Sequence, residues 1–223
     1  MEPILYYNPT CQSSRDVVTF FQLVDFKYEK KLISLAKGDH MTLEFKVINI
    51  LNQLPVFKEG SFILRESEAI IKYIMDSRKL GEEYYPKDAK VRALINRYFG
   101  FHHSTFHPNL KSIMVDPSFL EMNAANMATF RANCQEFEDH FLGKKKYIAG
   151  DIFTLADIFA MNQLLTVMYI TSVDLDVFCM IKEYVDRCLE IPVFKEVNKP
   201  LEDYYNMCKG KDGQCEKQVV GWV

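Results

Sequence analysis

Three short stretches of this 223-residue chain combine residue types that could do chemistry. The first is L-Y-Y-N-P-T-C-Q-S-S-R, Leu5 to Arg15, where an apolar strand breaks at Asn8-Pro9-Thr10 ahead of a helix. A thiol there faces the positive end of a helix dipole, so the sequence predicts that Cys11 has a lowered pKa and reacts as thiolate. A lone cysteine is commonly inert packing, but a loop flanked by Thr10 and Gln12 is a poor core position. Tyr6 and Tyr7 compete for the same role, although strand tyrosines are more often packing residues. The second stretch is Leu54-Pro55. Proline cannot donate to a strand ladder and suits an edge or a cis turn. In the cis form the Leu54 N–H and C=O would turn outward, where an extended peptide can pair with them. The third is Glu66-Ser67, where a strand becomes a helix. A hydroxyl, backbone N–H groups and the helix end can hold a carboxylate there, and the Glu66 side chain can hold an amine. A small peptide with an α-amino and an α-carboxylate at one end would satisfy both.

The elements that must position these residues follow from pattern. Pro3 to Tyr7 reads as a strand, and Ser13 or Ser14 can cap a helix whose apolar face is Val17, Val18, Phe20, Phe21 and Leu23. Phe26 to Leu32 reads as a second strand and Leu43 to Leu51 as a helix. Val56 and Phe57, the turn Glu59-Gly60-Ser61 and Phe62 to Leu64 make a hairpin. Ser67 is expected to cap a helix carrying Ala69, Ile70, Ile71, Ile74 and Met75, with Gly81 stopping it. The order β-α-β-α-β-β-α is the thioredoxin-like arrangement. The sequence therefore predicts an α+β, thioredoxin-like domain over residues 1–80, a polar linker over 82–88, and an all-α domain over 88–223.

The second half is helical in period. Val91, Leu94, Ile95, Tyr98, Phe99 and Phe101 form one stripe, and Met127, Phe130, Cys134, Phe137 and Phe141 form another, both read as core. Lys144-Lys145-Lys146 reads as a solvated corner. In D-I-F-T-L-A-D-I-F-A-M, Asp151 to Met161, Thr154 and Asp157 form a capping-box-like pair, so Asp157 is expected to be structural. The stretch from Met207 reads as an irregular tail that Trp222 could dock. His102, His103 and His107, with His40, raise a metal question. Neighbours on a helix diverge by about 100° and no carboxylate joins them at ligand spacing, so no metal site is expected.

Composition excludes little but bounds the class. Hydrophobic content of 48% and charged content of 26% describe an ordinary globular protein. A net charge of -3 argues against nucleic acid or an anionic membrane as partner. No apolar run approaches the ~20 residues of a membrane span, and Met-Glu-Pro does not open a signal peptide. Six scattered cysteines without Cys-x-x-Cys suggest reduced thiols in a cytoplasmic protein.

Taken together, Tyr-Tyr-x-Pro-x-x-x-x-x-Arg at 6 to 15, Lys-Gly-x-His at 37 to 40, Asn-x-Leu-Pro at 52 to 55 and Glu-Ser-x-Ala-Ile at 66 to 70 resemble the cytosolic glutathione S-transferases. The delta and theta classes are the most similar. The resemblance implies a transferase that joins the glutathione thiolate to small apolar electrophiles, acting as a homodimer. The implied glutathione contacts are Gln12, His40, Gln53, Leu54, Pro55, Glu66 and Ser67, with Phe106 and His107 in the electrophile site. Those classes stabilise the thiolate with a serine hydroxyl four residues before the arginine; here that position is Cys11. Gln53 stands where lysine is common, Met41 where lysine can occur, and His107 where some theta enzymes have arginine. Two other functions compete. Cys11-Gln12-Ser13-Ser14 is a Cys-x-x-Ser pattern, as in omega-like enzymes that transfer thiols or reduce dehydroascorbate through a mixed disulfide. A transferase-like module that only binds is the third possibility.

Overall fold

A computed structural model describes residues 2–115, 124–170 and 174–209. The chain divides into two compact units, one formed by Met1–Gly81 with the chain from Glu196 onward and the other by Glu82–Lys195.

The first unit is built on a four-stranded mixed sheet in the order β2-β1-β3-β4, with β1 Ile4–Tyr7, β2 Glu29–Leu32, β3 Val56–Glu59 and β4 Phe62–Leu64. β1 runs parallel to β2 and antiparallel to β3, and β3 pairs antiparallel with β4. Helices α1 (Gln12–Leu23), α2 (Leu43–Ile48) and α3 (Ser67–Arg78) complete the expected β-α-β-α-β-β-α order. Leu5 and Phe57 from the central strands and Val17, Phe20, Phe21, Ile70, Ile71 and Ile74 from α1 and α3 are all fully buried, while Val56 packs with Tyr6, Ile33 and Phe45 in a separate cluster. β2 is shorter than expected and fully exposed. Its lysines suit an edge strand that must not pair with another chain, and Lys31 lies over the Tyr6 ring.

Three helix boundaries differ from the sequence reading, each for a local reason. α1 starts at Gln12, so Cys11 rather than Ser13 or Ser14 occupies its N-cap. α3 starts at Ser67 with Glu66 at the N-cap in a left-handed conformation, φ 67°. Ser67 is therefore the first helical residue and not the cap. α3 ends at Arg78 through the left-handed Lys79, before Gly81. Gly81 has a different duty: a Cβ there would sit 2.8 Å from the Phe20 ring. On α3, Ala69 is exposed and not part of the apolar face.

The second unit is helical. α4 (Ala89–Phe101) is capped by Asp88, whose carboxylate accepts from Lys90 and Val91. It continues through a π-helical turn, His102–Phe106, into α5 (His107–Val115). α6 (Ala124–Glu136) likewise ends in a π-helical turn, Phe137–Leu142. α7 (Leu155–Ile170) and α8 (Cys179–Cys188) follow. α9 (Pro192–Lys209) begins in this unit and runs on past Glu196, so the chain is still helical at Met207, where an irregular tail was expected; Trp222 lies outside the described residues. The expected stripes are buried except at Val91, Leu94 and Met127, which are half-buried, and Phe106 stacks between Phe130 and Phe137 with centroids at 5.7 and 5.5 Å. Glu138 reaches the start of α8 and accepts from the Met180 and Ile181 N–H groups. The Lys144–Lys146 run is not a purely solvated corner. Lys145 is half-buried and donates to the Ile148 carbonyl, while Arg187 donates to the Lys146 carbonyl.

Asp157 ties this unit together. It is fully buried and accepts from the Thr154 N–H at 2.7 Å, the Thr154 hydroxyl at 2.9 Å, the Ile148 N–H at 2.9 Å and the Tyr184 hydroxyl at 3.0 Å. Four donors favour the carboxylate, yet burial outweighs them and pushes the pKa up to about 6. A carboxyl raised by folding stabilises the fold fully below its ordinary value, and that contribution is lost as pH rises through about 6. The span corresponds to on the order of 3 kcal/mol at most. We therefore expect the unfolding free energy of wild type to fall, relative to Asp157→Asn, between about pH 4 and pH 7. Urea denaturation across a pH series reads this, and parallel curves for the two proteins would contradict it. Asp157→Ala strands several buried donors and should cost roughly 2–5 kcal/mol while leaving turnover per folded molecule intact. A folded, stable Asp157→Ala protein without turnover would make the residue catalytic.

Candidate functional site

The turn between β1 and α1 is organised by two side chains that the sequence reading left unassigned. Asn8 is buried; its amide donates to the Ile33 carbonyl at 2.8 Å, and its Oδ1 accepts from the Thr10 N–H and hydroxyl. The Asn8 backbone carbonyl accepts from the Cys11 N–H, and its N–H donates to the Ser14 hydroxyl. The N-P-T sequence carries this as an Asx-turn signal. From beneath, the buried Arg15 guanidinium donates to the carbonyls of Pro9 and Thr10 at 3.0 and 2.8 Å. The turn is held from both sides, and Cys11 has little freedom.

Cys11 is only 6% exposed, and its thiol donates to the Leu54 carbonyl at 3.7 Å. Burial raises its pKa, outweighing the hydrogen bonds to Ser14 and the charge of Arg15, which lower it; Asp16 adds to the rise. This corrects the expectation of a lowered pKa. A helix end contributes about 0.3–1 kcal/mol, whereas taking a charge out of water costs several kcal/mol. Desolvation wins, and Cys11 is a thiol at neutral pH. Of its competitors, Tyr6 is buried against Ile33, Phe45 and Val56, and Tyr7 is half-buried.

Leu54-Pro55 is a cis peptide, with Pro55 buried and Leu54 packed against the same small cluster. Asn49, at the C-terminal end of α2, organises this loop. It is 3% exposed, and its amide donates to the Gln53 carbonyl at 2.8 Å. Its Oδ1 accepts from the Leu51 N–H and from Arg65, next to the β4–α3 junction. One buried amide thus joins the Gln53-Leu54 turn to the Glu66-Ser67 turn. No pattern in the sequence marks Asn49, because its partners lie on two segments, its own loop and Arg65 after β4.

At that second turn Glu66 is exposed, Ser67 is buried, and the Glu66 carbonyl accepts the first helical bond from Ile70. The left-handed backbone at Glu66 aims successive groups in a way an ordinary helix start does not. Gln53 is exposed, while Gln12 is buried and donates to Asp16. His40 is buried in a short turn, Asp39–Met41, and burial lowers its pKa against the opposing pull of Asp39. A neutral ring offers a hydrogen bond and no full positive charge.

In the second unit Phe106 is fully buried among rings, so it is a packing residue and has no surface for a ligand. His107 is half-buried, with its Nδ1 3.2 Å from Gln163 Oε1. Among the described residues no three His, Cys, Asp or Glu side chains come together as a metal site would require.

Comparison with known proteins agrees with this geometry. Residues 1–76 match the glutathione S-transferase N-terminal domain, and residues 108–192 match its C-terminal domain. The chain is 33% identical over 170 residues to glutathione S-transferase theta-2 of Homo sapiens, a match covering 72% of this chain and 70% of that protein. It is 30% identical over 173 residues to theta-2 of Mus musculus, with the same two shares. A delta-class glutathione transferase of Nilaparvata lugens superposes with a TM-score of 0.83 at 25% identity, covering 97% of this chain and 99% of that one. The chain belongs to the glutathione S-transferase family.

Proposed function

We propose that this protein conjugates glutathione to small apolar electrophiles, with the tripeptide bound on the first unit. The observation that carries the reading is the buried, protonated Cys11 thiol aimed at Leu54 and braced by Asn8 and Arg15. An extended tripeptide passing Leu54 would set its γ-glutamyl end at Glu66 and Ser67, where a helix start favours a carboxylate. Its glycine end would lie near neutral His40. Gln12, Gln53 and Pro55 complete the proposed contacts, Gln12 by fixing the turn from within. His107 is assigned to the second-substrate site.

The mechanism follows from what each group can do. Attack on the electrophile needs the glutathione sulfur as thiolate. The single Cys11 S–H, turned from the Leu54 carbonyl to the bound sulfur, would stabilise that negative charge together with the N–H groups at the start of α1. The sulfur then forms the new bond with the electrophilic carbon, and the leaving group departs with its electron pair. A Cys11 thiolate would instead repel a second thiolate and favour mixed-disulfide exchange. Burial of Cys11 works against that, and so favours conjugation over thiol transfer.

Cysteines 11, 134, 179 and 188 are all free, which suits a cytoplasmic protein. No described helix is long and apolar enough to cross a membrane. A homodimer is part of the proposal, with exposed Phe62 and Ile63 on edge strand β4 as apolar surface available for it.

Three measurements test these assignments. Ser67→Ala should weaken glutathione binding by roughly 1–2 kcal/mol, and unchanged affinity in a calorimetric titration would remove the γ-glutamyl site. Cys11→Ser should retain or raise conjugation, since a hydroxyl is the stronger donor, whereas Cys11→Ala should lose about ten- to a hundredfold in kcat. If Cys11→Ser fails as completely as Cys11→Ala while still binding glutathione, the enzyme is cysteine-dependent and a thiol transferase. Sedimentation at micromolar concentration should give twice the 26.1 kDa chain mass; a monomer alone would refute the dimer.

A further inference from the structure

The polar residues buried along α7 need partners, and Gln163 has two of them on one neighbouring segment. Gln163 is 0% exposed on a helix otherwise dominated by apolar contacts. Its Nε2 donates to the Phe106 carbonyl at 3.2 Å, and its Oε1 lies 3.2 Å from His107 Nδ1. A carbonyl can only accept, so the Phe106 contact fixes which way the amide faces. The oxygen must then be the atom turned to the histidine. An amide oxygen can only accept, so Nδ1 must carry the proton. In a neutral imidazole the other nitrogen, Nε2, then holds a lone pair. Burial keeps this ring neutral, and His103 and Lys111 nearby oppose a second positive charge. His102, stacked on His107 with centroids 5.6 Å apart, is fully buried and neutral as well.

The location adds a second observation. Gln163 grips both sides of the junction where the π-helical turn His102–Phe106 passes into α5 at His107. Such turns are short, carry weaker backbone geometry and recur at functional positions. His107 Nε2 makes no hydrogen bond among the described residues, and the residue is half-exposed. It is a polar acceptor with its orientation set and its partner not supplied by the described residues.

We propose that Gln163 is a positioning residue for the second-substrate site: it locks His107 as the Nδ1–H tautomer, so that Nε2 presents an acceptor that selects electrophiles bearing a hydroxyl or amide N–H. The proposal rests on the assignment of His107 to that site. It commits the electrophile to a class, an apolar body with one hydrogen-bond donor, rather than an anion that would need a cationic side chain.

The test combines spectroscopy with a matched pair of substrates. Nitrogen NMR of histidine-labelled protein should show His107 as the Nδ1–H tautomer in wild type and a mixture of tautomers in Gln163→Leu. Rates of glutathione conjugation are then compared for para-methylbenzyl chloride and para-(hydroxymethyl)benzyl chloride. Wild type should prefer the hydroxymethyl compound in kcat/KM by about tenfold, the size of one hydrogen bond. Gln163→Leu should lose most of that preference. A wild-type Nε2–H tautomer overturns the proposal while leaving glutathione conjugation standing. A preference retained in folded Gln163→Leu, or in His107→Ala, also overturns it. If neither halide is conjugated at all, it is the proposed transferase function that has failed.

Discussion

The removal of one thiol from water is the constraint around which the first unit makes sense. Cys11 sits at the N-cap of α1, a position whose electrostatics favour an anion, yet it is 6% exposed and its proton is directed at the Leu54 carbonyl. The two influences are unequal. A helix end is worth a fraction of what burial of a charge costs, so the thiol keeps its proton. That outcome depends on a turn that cannot open. Asn8 holds it through its side chain and both backbone groups, and Arg15 donates to the Pro9 and Thr10 carbonyls. A looser turn would let water reach the sulfur and return the advantage to the thiolate.

The same economy of buried polar side chains recurs wherever segments distant in sequence must be held in register. Asn49 joins the Leu54 turn to the Glu66 turn, so the middle and the γ-glutamyl end of a bound tripeptide would be read by turns tied to one side chain. Asp157 does the corresponding work in the second unit, binding Thr154, Ile148 and Tyr184 through four hydrogen bonds. Each of these residues is nearly or fully buried and each has its partners on more than one segment. Removing one would leave donors or acceptors unsatisfied in several places at once, which is why such positions cost more than a surface hydrogen bond.

How much of this could be read from sequence depends on how local the determining interactions are. The β-α-β-α-β-β-α order was legible because strand and helix periods are written within a few residues, and the hairpin because Gly60 marks its turn. The Thr154–Asp157 pair was legible for the same reason, its partners being three residues apart. The helix starts at Gln12 and Ser67 lie one to three residues before those the serine caps predict, and the left-handed backbone at Glu66 sets the second start. The direction of the Cys11 shift was misjudged because dipole position is visible in sequence and burial is not. The links from Asn49 to Arg65 and from Gln163 to Phe106 and His107 leave no trace in sequence because they span 16 and 56 to 57 residues. Phe106 was assigned to a ligand surface by resemblance, but it packs between two other phenylalanine rings.

The central claim is that the enzyme's own thiol stays protonated so that the bound tripeptide's thiol does not. Ultraviolet difference absorbance of thiolate, followed against pH for the Cys11 contribution in the free protein and for the protein saturated with glutathione, tests it directly. The free protein should show no Cys11 thiolate until well above neutral pH, and saturation should bring in one thiolate near neutrality that belongs to glutathione. A Cys11 thiolate already present at neutral pH in the free protein, which attacks added oxidised glutathione to give a mixed disulfide detectable by mass and releases one glutathione thiolate, would contradict the account.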